Sequence, residues 1–199
     1  EDLKKDSSRN TSNKFNQMYD ILATPNMFRT ASGAPGPAYY QQQADYKIDI
    51  ELDDKNSKIY GSETITYSNN SPDTLEYLWI QLDQNQAAKN SQYPLSENQK
   101  TEEVFTANKF ANKFLKQELE RGFNIEYIKD SKGNPLSYTI NHTMMRINLP
   151  VPMKPGEKIS FSIKWWYNVN NYRQDGGRSG YEAFEKDPNK LYIIAQFYP

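Results

Sequence analysis

Histidine and cysteine, the side chains most used for metal binding and nucleophilic catalysis, are almost missing from this chain of 199 residues. There is one histidine, His142, and there is no cysteine. The absence of cysteine excludes a disulfide framework, a thiol nucleophile and any zinc site with thiolate ligands. One imidazole cannot supply the two histidine ligands of an H-E-x-x-H zinc site. We therefore interpret His142 as part of a hairpin turn or a strand end.

Oxygen-bearing side chains are more numerous, and those of residues 53–56 suggest a calcium loop. Asp53, Asp54 and Asn56 would supply the oxygen ligands. The remaining ligands of an EF-hand are missing, including the closing Glu and the Gly of the sharp turn. Asp and Asn are also typical of turns, because their side chains bond to nearby backbone groups. We predict a solvent-exposed hairpin turn here.

A second acidic group, formed by Asp45, Asp49 and Glu51, suggests the carboxyl pair of a glycosidase. Such a pair needs two carboxyl groups separated across a cleft, one of them with a raised pKa. These three residues share one parity of a predicted strand, so they lie on one face, which we expect to be exposed to solvent. Glu63, across the predicted hairpin, belongs to an otherwise apolar stripe, and we expect it at the edge of that stripe.

A Gly-rich run at residues 176–180 suggests an anion site built from backbone N–H groups. A loop between two strands is the more common meaning of such a run. Arg173 and Arg178 lie nearby and leave open a contact with another domain. A second run of Gly, Pro and Ser, at residues 30–37, has no helix after it, unlike a phosphate-binding loop, and is predicted to be a connection.

Two adjacent tryptophans, Trp165 and Trp166, lie on opposite faces of a predicted strand. Trp165 belongs to the apolar stripe of that strand, and we assign it to the core. Trp166 shares its face with Ser160, Ser162 and Lys164, so we expect it to be exposed or covered by another domain.

Composition, charge and length indicate which kind of core, partner and domain this chain can have. Hydrophobic residues make up 36% of the chain and aromatic residues 14%, with 15 Tyr, which favours a core built from few large side chains. The formal net charge is −1 and the Lys and Arg residues are scattered, which argues against nucleic acid or an anionic membrane surface as a partner. This length is compatible with one large all-β domain.

Three consecutive strands are predicted within residues 39–85. The first, at residues 46–52, has apolar side chains at every second position, which predicts one buried face. The second spans residues 59–67 and the third spans residues 78–82. Turn-forming Asp, Asn, Ser and Pro residues connect them, so we predict an antiparallel meander.

The rest of the chain is predicted to add strands and two helices. Further strands are predicted at residues 123–127, 136–140, 144–149 and 159–167. The last predicted strand, 191–198, is nearly continuous in apolar residues, which suggests burial on both faces. Amphipathic periodicity predicts helices at residues 12–22 and 97–121. The expected fold is an all-β, two-sheet or saddle-like β-sandwich with a short N-terminal helix and one inserted helix.

An ordered set of motifs along the chain resembles a known family. The run ADYKIDIELDD…IYGSETITYSNNSPDTLEYLWIQLDQN, at residues 44–85, looks like the opening strands of the N-terminal β domain of zinc aminopeptidases of the aminopeptidase N family. The form is that of secreted bacterial members. Similar segments are TPNMFRTASGAPGPAYYQQQADY before it and INHTMMRINLPVPMKPGEKISFSIKWWYNVN, GGRSGYEAFEKD and IAQFYP after it. The resemblance covers most of the chain except residues 86–121.

The resemblance implies a division of the chain and a role for one residue. Residues 1–38 would form a tail, a short helix and a Gly/Pro loop, and residues 39–199 an aminopeptidase-type β domain that stops short of its usual C-terminal end. This domain would pack on a catalytic domain and help to shape the peptide-binding groove. Gln196 resembles a family Gln or Glu at the first substrate pocket, so it is the candidate substrate-binding residue.

The resemblance also implies what this chain lacks. Zinc would be held by the missing catalytic domain, since the H-E-x-x-H and Gly-x-Met-Glu-Asn motifs are not in this sequence, so the chain should hold no metal and be inactive alone. A periplasmic or secreted location and self-association at an uncovered strand edge are further expectations. The alternative is a stand-alone β-sandwich module of the cell envelope that binds protein, or carbohydrate through Trp166, Tyr172 or Tyr181.

Overall fold

The computed structural model describes residues 25–88, 91, 106–107, 121–175 and 179–199. The predicted helix at 12–22 lies outside these residues, as does the helix at 97–121 apart from residues 106, 107 and 121. The Gly-rich run is described only at residues 179 and 180. The chain divides into two compact units, residues 1–41 and residues 42–199.

The described residues of the second unit are mostly in strands, as expected for an all-β fold. Among the residues that the structure describes, the strands are β1 (Gln43–Asp53), β2 (Lys58–Ser68), β3 (Leu75–Gln81), β4 (Asn124–Asp130), β5 (Tyr138–Asn141), β6 (Met144–Met153), β7 (Lys158–Asn168), β8 (Gly180–Phe184) and β9 (Asp187–Ile193). A 3-10 helix, Asp83–Ala87, follows β3, and a single-turn helix, α1 (Tyr172–Asp175), precedes β8. No helix in the described part of the chain is long and apolar enough to cross a membrane.

These strands form three antiparallel sheets. The first has the order β1-β2-β7-β4, the second the order β3-β6-β5, and β8 and β9 form a two-stranded ribbon. The predicted hairpin of β1 and β2 is confirmed, with all eleven residues of β1 in register with β2. The predicted meander is wrong at its third strand, because β3 pairs with β6 in the second sheet and not with β2.

One hydrophobic core joins the two larger sheets, which confirms the predicted sandwich. Its largest contribution comes from β7, where every second side chain is buried. Trp165 is completely buried, as predicted, stacks on Tyr167 and meets Phe123 edge to face, with ring centroids 5.9 and 5.4 Å away. Buried aromatic pairs of this kind stabilise a core beyond their buried area, by about 0.5–1.5 kcal/mol each.

The β1 strand differs from its prediction. Its apolar stripe was expected to be buried, but Tyr46, Ile50 and Leu52 are 44%, 48% and 43% exposed. The reason is the position of β1 at the edge of a four-stranded sheet, whose partner sheet has only three strands. The period-2 pattern therefore predicted the strand correctly but not what covers it.

The crossing from the first sheet to the second depends on Asn69, which is fully buried just after β2. Its Nδ2 donates to the carbonyl oxygens of Asp73 and Met153, at 2.7 and 3.2 Å. Its Oδ1 accepts hydrogen bonds from the Ser71 hydroxyl and from Gln42 Nε2, at 2.6 and 3.2 Å. One amide thus fixes the direction in which the chain leaves β2, which separates β3 from it.

Replacing Asn69 with Ala is expected to lower the free energy of unfolding by about 2 kcal/mol, because several buried polar groups lose their partner. Urea denaturation followed by tryptophan fluorescence measures this loss. Thr74→Ala, at an exposed position of the same connection, is the matched control and should change stability by less than about 0.5 kcal/mol. Equal stabilities of the two variants would contradict the role of Asn69.

The predicted turns are confirmed. Asp53 accepts hydrogen bonds from the backbone N–H and the side-chain amide of Asn56, at 3.0 and 2.6 Å, and these bonds lower the pKa of Asp53. Asp130 closes the turn after β4 in the same way, with Asn134 as the main partner, and its pKa is also lowered. His142 lies in the turn between β5 and β6, at a φ of 53°.

The described part of the first unit is a compact double turn. Asn26 Oδ1 accepts hydrogen bonds from the backbone N–H groups of Phe28 and Arg29, at 2.9 and 3.1 Å. Gly36 lies so close to the backbone of Met27 that a Cβ atom there would overlap the Met27 carbonyl group. This explains the Gly in the predicted connecting loop of residues 30–37.

Candidate functional site

The candidate residue Gln196 lies in an irregular segment, residues 194–199, that follows β9 and bends at residue 196. The predicted strand at 191–198 is wrong in its second half, because β9 ends at Ile193. The expected burial on both faces is also wrong, since Leu191 and Ile193 are 49% and 50% exposed. One face of the two-stranded ribbon packs on the core through Tyr181 and Tyr192, and the other face, with residues 191 and 193, is left uncovered.

Two side chains hold this segment by its backbone. Gln84 Nε2 donates to the carbonyl oxygens of Ala195 and Gln196, at 3.1 and 3.0 Å. The Ser179 hydroxyl donates to the Ala195 carbonyl at 3.2 Å and accepts from the Ala195 N–H at 2.8 Å. The segment is thus fixed by the 3-10 helix on one side and by the residue before β8 on the other.

Gln196 itself is exposed and adopts a φ of 51°, in the left-handed region. A residue other than Gly is uncommon in that region, and such a conformation costs about 1 kcal/mol or more unless its surroundings hold it. The Gln84 amide supplies that support. The result is an exposed side-chain amide, able to donate and to accept, on a backbone that is held from behind.

The same segment packs on the inner side of β1. The ring of Tyr198 meets that of Tyr46 edge to face, with centroids 5.4 Å apart. Ile194 and Phe197 pack against the core. Close to Gln196 in the chain, Ile194 and Phe197 therefore contact the core, and Tyr198 contacts Tyr46 in the exposed stripe of β1.

Beneath this region lies Glu63, the most unusual ionisable residue of the described chain. It lies on β2 between Ile48 of β1 and Ile163 of β7, and only 1% of its surface is exposed. Neither of its carboxylate oxygens has a hydrogen-bond partner. Burial alone raises its pKa to about 8, so the carboxyl group is neutral at neutral pH.

The expectation that Glu63 lies at the edge of the apolar stripe is wrong, because it lies in the middle of that stripe. Its strand is an inner strand of the sheet and pairs on both sides. Tyr46 links Glu63 to the C-terminal segment: burial raises the pKa of the Tyr46 hydroxyl first, and the nearby Glu63 and Tyr198 groups raise it further. Tyr46, Glu63 and Tyr198 thus form one cluster at the inner side of β1.

This region offers binding groups rather than catalytic ones. It presents the Gln196 amide and the hydroxyls of Tyr46 and Tyr198, which suit hydrogen bonding to a ligand, whereas the Glu63 carboxyl group is buried. Among the described residues, no group of three or more His, Cys, Asp or Glu side chains is arranged to hold a metal ion. His142 is exposed on its hairpin, and its carbonyl accepts a hydrogen bond from Asn85 Nδ2 at 3.0 Å, which confirms the turn assignment.

The other acidic candidates are exposed to solvent, and the basic candidate Arg173 forms an ion pair within the chain. Asp45, Asp49 and Glu51 are exposed on the outer side of β1, as predicted. Arg173 pairs with Glu182 at 2.6 Å, which ties α1 to β8. Arg178 lies outside the described residues.

Trp166, Tyr172 and Tyr181 are the aromatic candidates for glycan binding. Within the described part of the chain, no contact between aromatic rings joins them. Trp166 is half-buried, and the Lys58 ammonium group lies 3.3 Å from its ring centroid. Tyr181 packs against the core and beside Tyr192, whereas Tyr172 is 44% exposed. The glycan-binding alternative stays a prediction.

Sequence reasoning missed the partners of Gln196. Nothing in the sequence distinguishes Gln84 from the many other Gln residues, because its role depends on a contact across 112 residues. Glu63 did carry a signal, a charged residue within an apolar stripe, although its depth was not predictable.

Replacing Gln84 with Ala should loosen residues 194–199 without unfolding the sandwich. Two hydrogen bonds are lost, so hydrogen exchange at the Ala195 N–H is expected to accelerate about tenfold or more. Exchange at the Ile163 N–H, within the ladder of β7, should stay unchanged. Equal acceleration at both amides would mean that the variant has lost global stability instead.

No protein-family model matches the chain, and no curated protein matches it. Among solved structures, the chain is similar to an M1 zinc metallopeptidase from Deinococcus radiodurans bound to a Tyr-Ser-Ala substrate, at 12% identity and a TM-score of 0.38, with 64% of this chain and 21% of that chain covered. It is also similar to a two-domain M1 zinc metallopeptidase bound to L-tryptophan, at 12% identity and a TM-score of 0.40, with 69% and 23% covered. The chain spans about a fifth of the length of these structures.

Proposed function

We propose that this chain is the noncatalytic N-terminal β domain of a zinc-dependent aminopeptidase, and that it helps to shape the peptide-binding groove. The proposal starts from the ordered sequence resemblance to the aminopeptidase N family. The resembling run at residues 44–85 contains nearly all of β1 and the whole of β2 and β3, and the resembling run at residues 140–170 contains the whole of β6 and β7, which lie in different sheets. A periplasmic or secreted location follows from the same resemblance and belongs to the proposal.

The observation that carries the proposal is the geometry of Gln196. Its amide is exposed, its backbone is held in the left-handed region, and Gln84 supports it from behind. Because the backbone at residue 196 is held, the exposed side-chain amide starts from a fixed point and can accept a hydrogen bond from the amino group of a peptide. We assign Gln196 the role of substrate-binding residue.

Exposed apolar side chains supply a surface for the proposed partner domain. Tyr46, Ile50 and Leu52 on β1 and Leu191 and Ile193 on β9 are each 43–50% exposed. Several large apolar side chains left exposed along one strand, as on β1, are typical of surfaces that pack on another protein or domain. The partner would be the catalytic domain of the same protein.

Zinc does not fit the residues described here, so the proposal places it in the catalytic domain. One histidine is present in the whole chain, and the described residues hold no group of metal ligands. No step of peptide hydrolysis is therefore assigned to this chain.

The first test reads the gene downstream of the codon for Pro199. An H-E-x-x-H motif followed by a further helical Glu would support the proposal, because that set holds a catalytic zinc. A downstream sequence with no such motif would contradict it.

The second test measures peptide hydrolysis by the full-length protein. Gln196→Ala should raise KM by about tenfold with a smaller change in kcat, because a hydrogen bond to a charged amino group contributes about 1.5–3 kcal/mol. Gln43→Ala, at an exposed position of β1, is the matched control and should leave KM unchanged. Equal KM values for the two variants would remove Gln196 from the substrate site.

A further inference from the structure

Glu63 differs from the other carboxylates of the described chain in having neither solvent nor a partner. Both of its oxygens are buried without a hydrogen bond, in the central part of a strand that is paired on both sides. An ionised carboxylate in such a place is strongly unfavourable, because the lost hydration is not replaced. The group must stay neutral, gain water, or gain a counter-ion.

The surroundings offer no counter-ion among the described residues. From β1, the neighbours of Glu63 are Ile48 and the titratable Tyr46, and residues 194–199 add the titratable Tyr198. The buried residues of β7 and of the second sheet are apolar or aromatic: Phe161, Ile163, Trp165, Leu78, Ile80, Met145 and Ile147. No positive charge contributes to the ionisation of Glu63.

The parts of the protein that surround this carboxyl group are held in place by interactions of different strength. Beneath and beside it, β2 is held to β1 and β7 by continuous antiparallel ladders. On the inner side of β1, Tyr46 is near enough to Glu63 for the two groups to interact electrostatically, and its ring contacts that of Tyr198; the two tyrosines are 44% and 39% exposed. The segment that carries Tyr198 is fixed by side-chain bonds from Gln84 and Ser179 and by packing of Ile194 and Phe197, not by a strand ladder.

We propose that Glu63 is a proton-binding site that controls the position of residues 194–199. While the carboxyl group is neutral, the segment lies over β1 with Tyr198 against Tyr46. When the proton leaves, hydration of the carboxylate requires an opening, and the segment moves away because it is the most weakly held part of the cover. The device therefore couples pH to exposure of the inner side of β1.

This inference rests on residues of the chain itself and does not require the proposed peptidase function. It goes beyond that function, because it concerns a carboxyl group with no role in substrate binding. Where the proposed function also holds, the same proton controls the segment that carries Gln196. Failure of this inference can be distinguished from failure of the proposed function, because the test below uses no substrate and no catalytic domain.

The test is hydrogen exchange of the full chain followed by NMR between pH 6 and pH 9. In the native protein, the equilibrium constant for opening at the Ala195 N–H is expected to rise by up to about tenfold per pH unit between pH 6 and pH 8. The Ile163 N–H on β7 serves as the internal reference. Rates are corrected for the intrinsic effect of pH on exchange.

Two variants decide the outcome. In Glu63→Gln, the opening constant at Ala195 should become independent of pH, whereas Glu51→Gln, on the exposed side of the neighbouring strand, should keep the native pH profile. Glu63→Met is a second neutral variant, in case the buried Gln amide disturbs the sheet, and should also be flat. A flat profile in the native protein, or a native profile in both Glu63 variants, would overturn the proposal.

Discussion

The free energy of unfolding is expected to fall as the pH rises from about 5 to 8, and Glu63 is the cause. Burial raises the pKa of Glu63 from its ordinary value of 4.5 to about 8. Between these two values the folded chain keeps the proton and the unfolded chain has lost it, so each pH unit lowers stability by about 1.4 kcal/mol. The full loss is on the order of 5 kcal/mol, and it is complete above the folded-state pKa.

This loss is large compared with the 5–15 kcal/mol of total stability that is usual for a folded domain, as an order of magnitude. Movement of residues 194–199 would limit it, because the pH-dependent loss then stops at the free energy needed to open the segment. Urea denaturation at pH 5, 6, 7, 8 and 9 measures the profile.

Glu63→Gln should remove most of this pH dependence and should be more stable than the native protein at pH 9. Glu51→Gln is the matched control, since Glu51 is exposed on the adjacent strand and its removal should leave the profile unchanged. Parallel stability profiles for the native protein and Glu63→Gln would show that Glu63 is not buried in this manner.

Gly61→Ala is expected to lower the free energy of unfolding by about 3 kcal/mol or more, through overpacking of the core. Gly61 lies opposite Trp165 on β7, and the indole ring lies directly over it. A Cβ atom at residue 61 would overlap the Cζ2, Cε2 and Cη2 atoms of that ring. The ring cannot move aside easily, because it is completely buried between Phe123 and Tyr167.

A double-mutant cycle separates this steric cause from other effects of the substitution. Trp165→Leu removes the overlapping ring, so adding Gly61→Ala to it should cost much less than 3 kcal/mol, roughly 1 or below. Ser62→Ala, on the opposite face of β2, is the control for a change at the adjacent position. Additive losses in the cycle would contradict the overlap of Gly61 and Trp165.

Local patterns in the sequence predicted strands β1 to β7 and their turns, because both depend on neighbouring residues, but they missed β8 and placed the last strand too late. Alternation along residues 159–167 follows from the pleat of a strand, and β7 has that pattern of burial. Asp53 and Asp130 close their turns with bonds to residues no more than four positions away. The resemblance of residues 44–85 also pointed to a β domain, and this region folds into three strands.

The tertiary structure alone decided which strands meet and what each face touches. Asn69 directs the chain away from β2, so β3 pairs with a strand that begins 63 residues after Gln81. A three-stranded sheet opposite a four-stranded one leaves the apolar stripe of β1 half exposed, although its sequence pattern is that of a buried face.

The candidate site likewise depends on contacts between residues that are distant in the sequence. The sequence determined that Glu63 shares a face with apolar neighbours, because side chains alternate along a strand. Only the packing of β2 between β1 and β7, and of Tyr198 on Tyr46, determined that this carboxyl group is buried without a partner. The left-handed conformation of Gln196 likewise follows from support by the distant Gln84 and not from any local pattern, because burial and support are properties of residues brought together from separate parts of the chain.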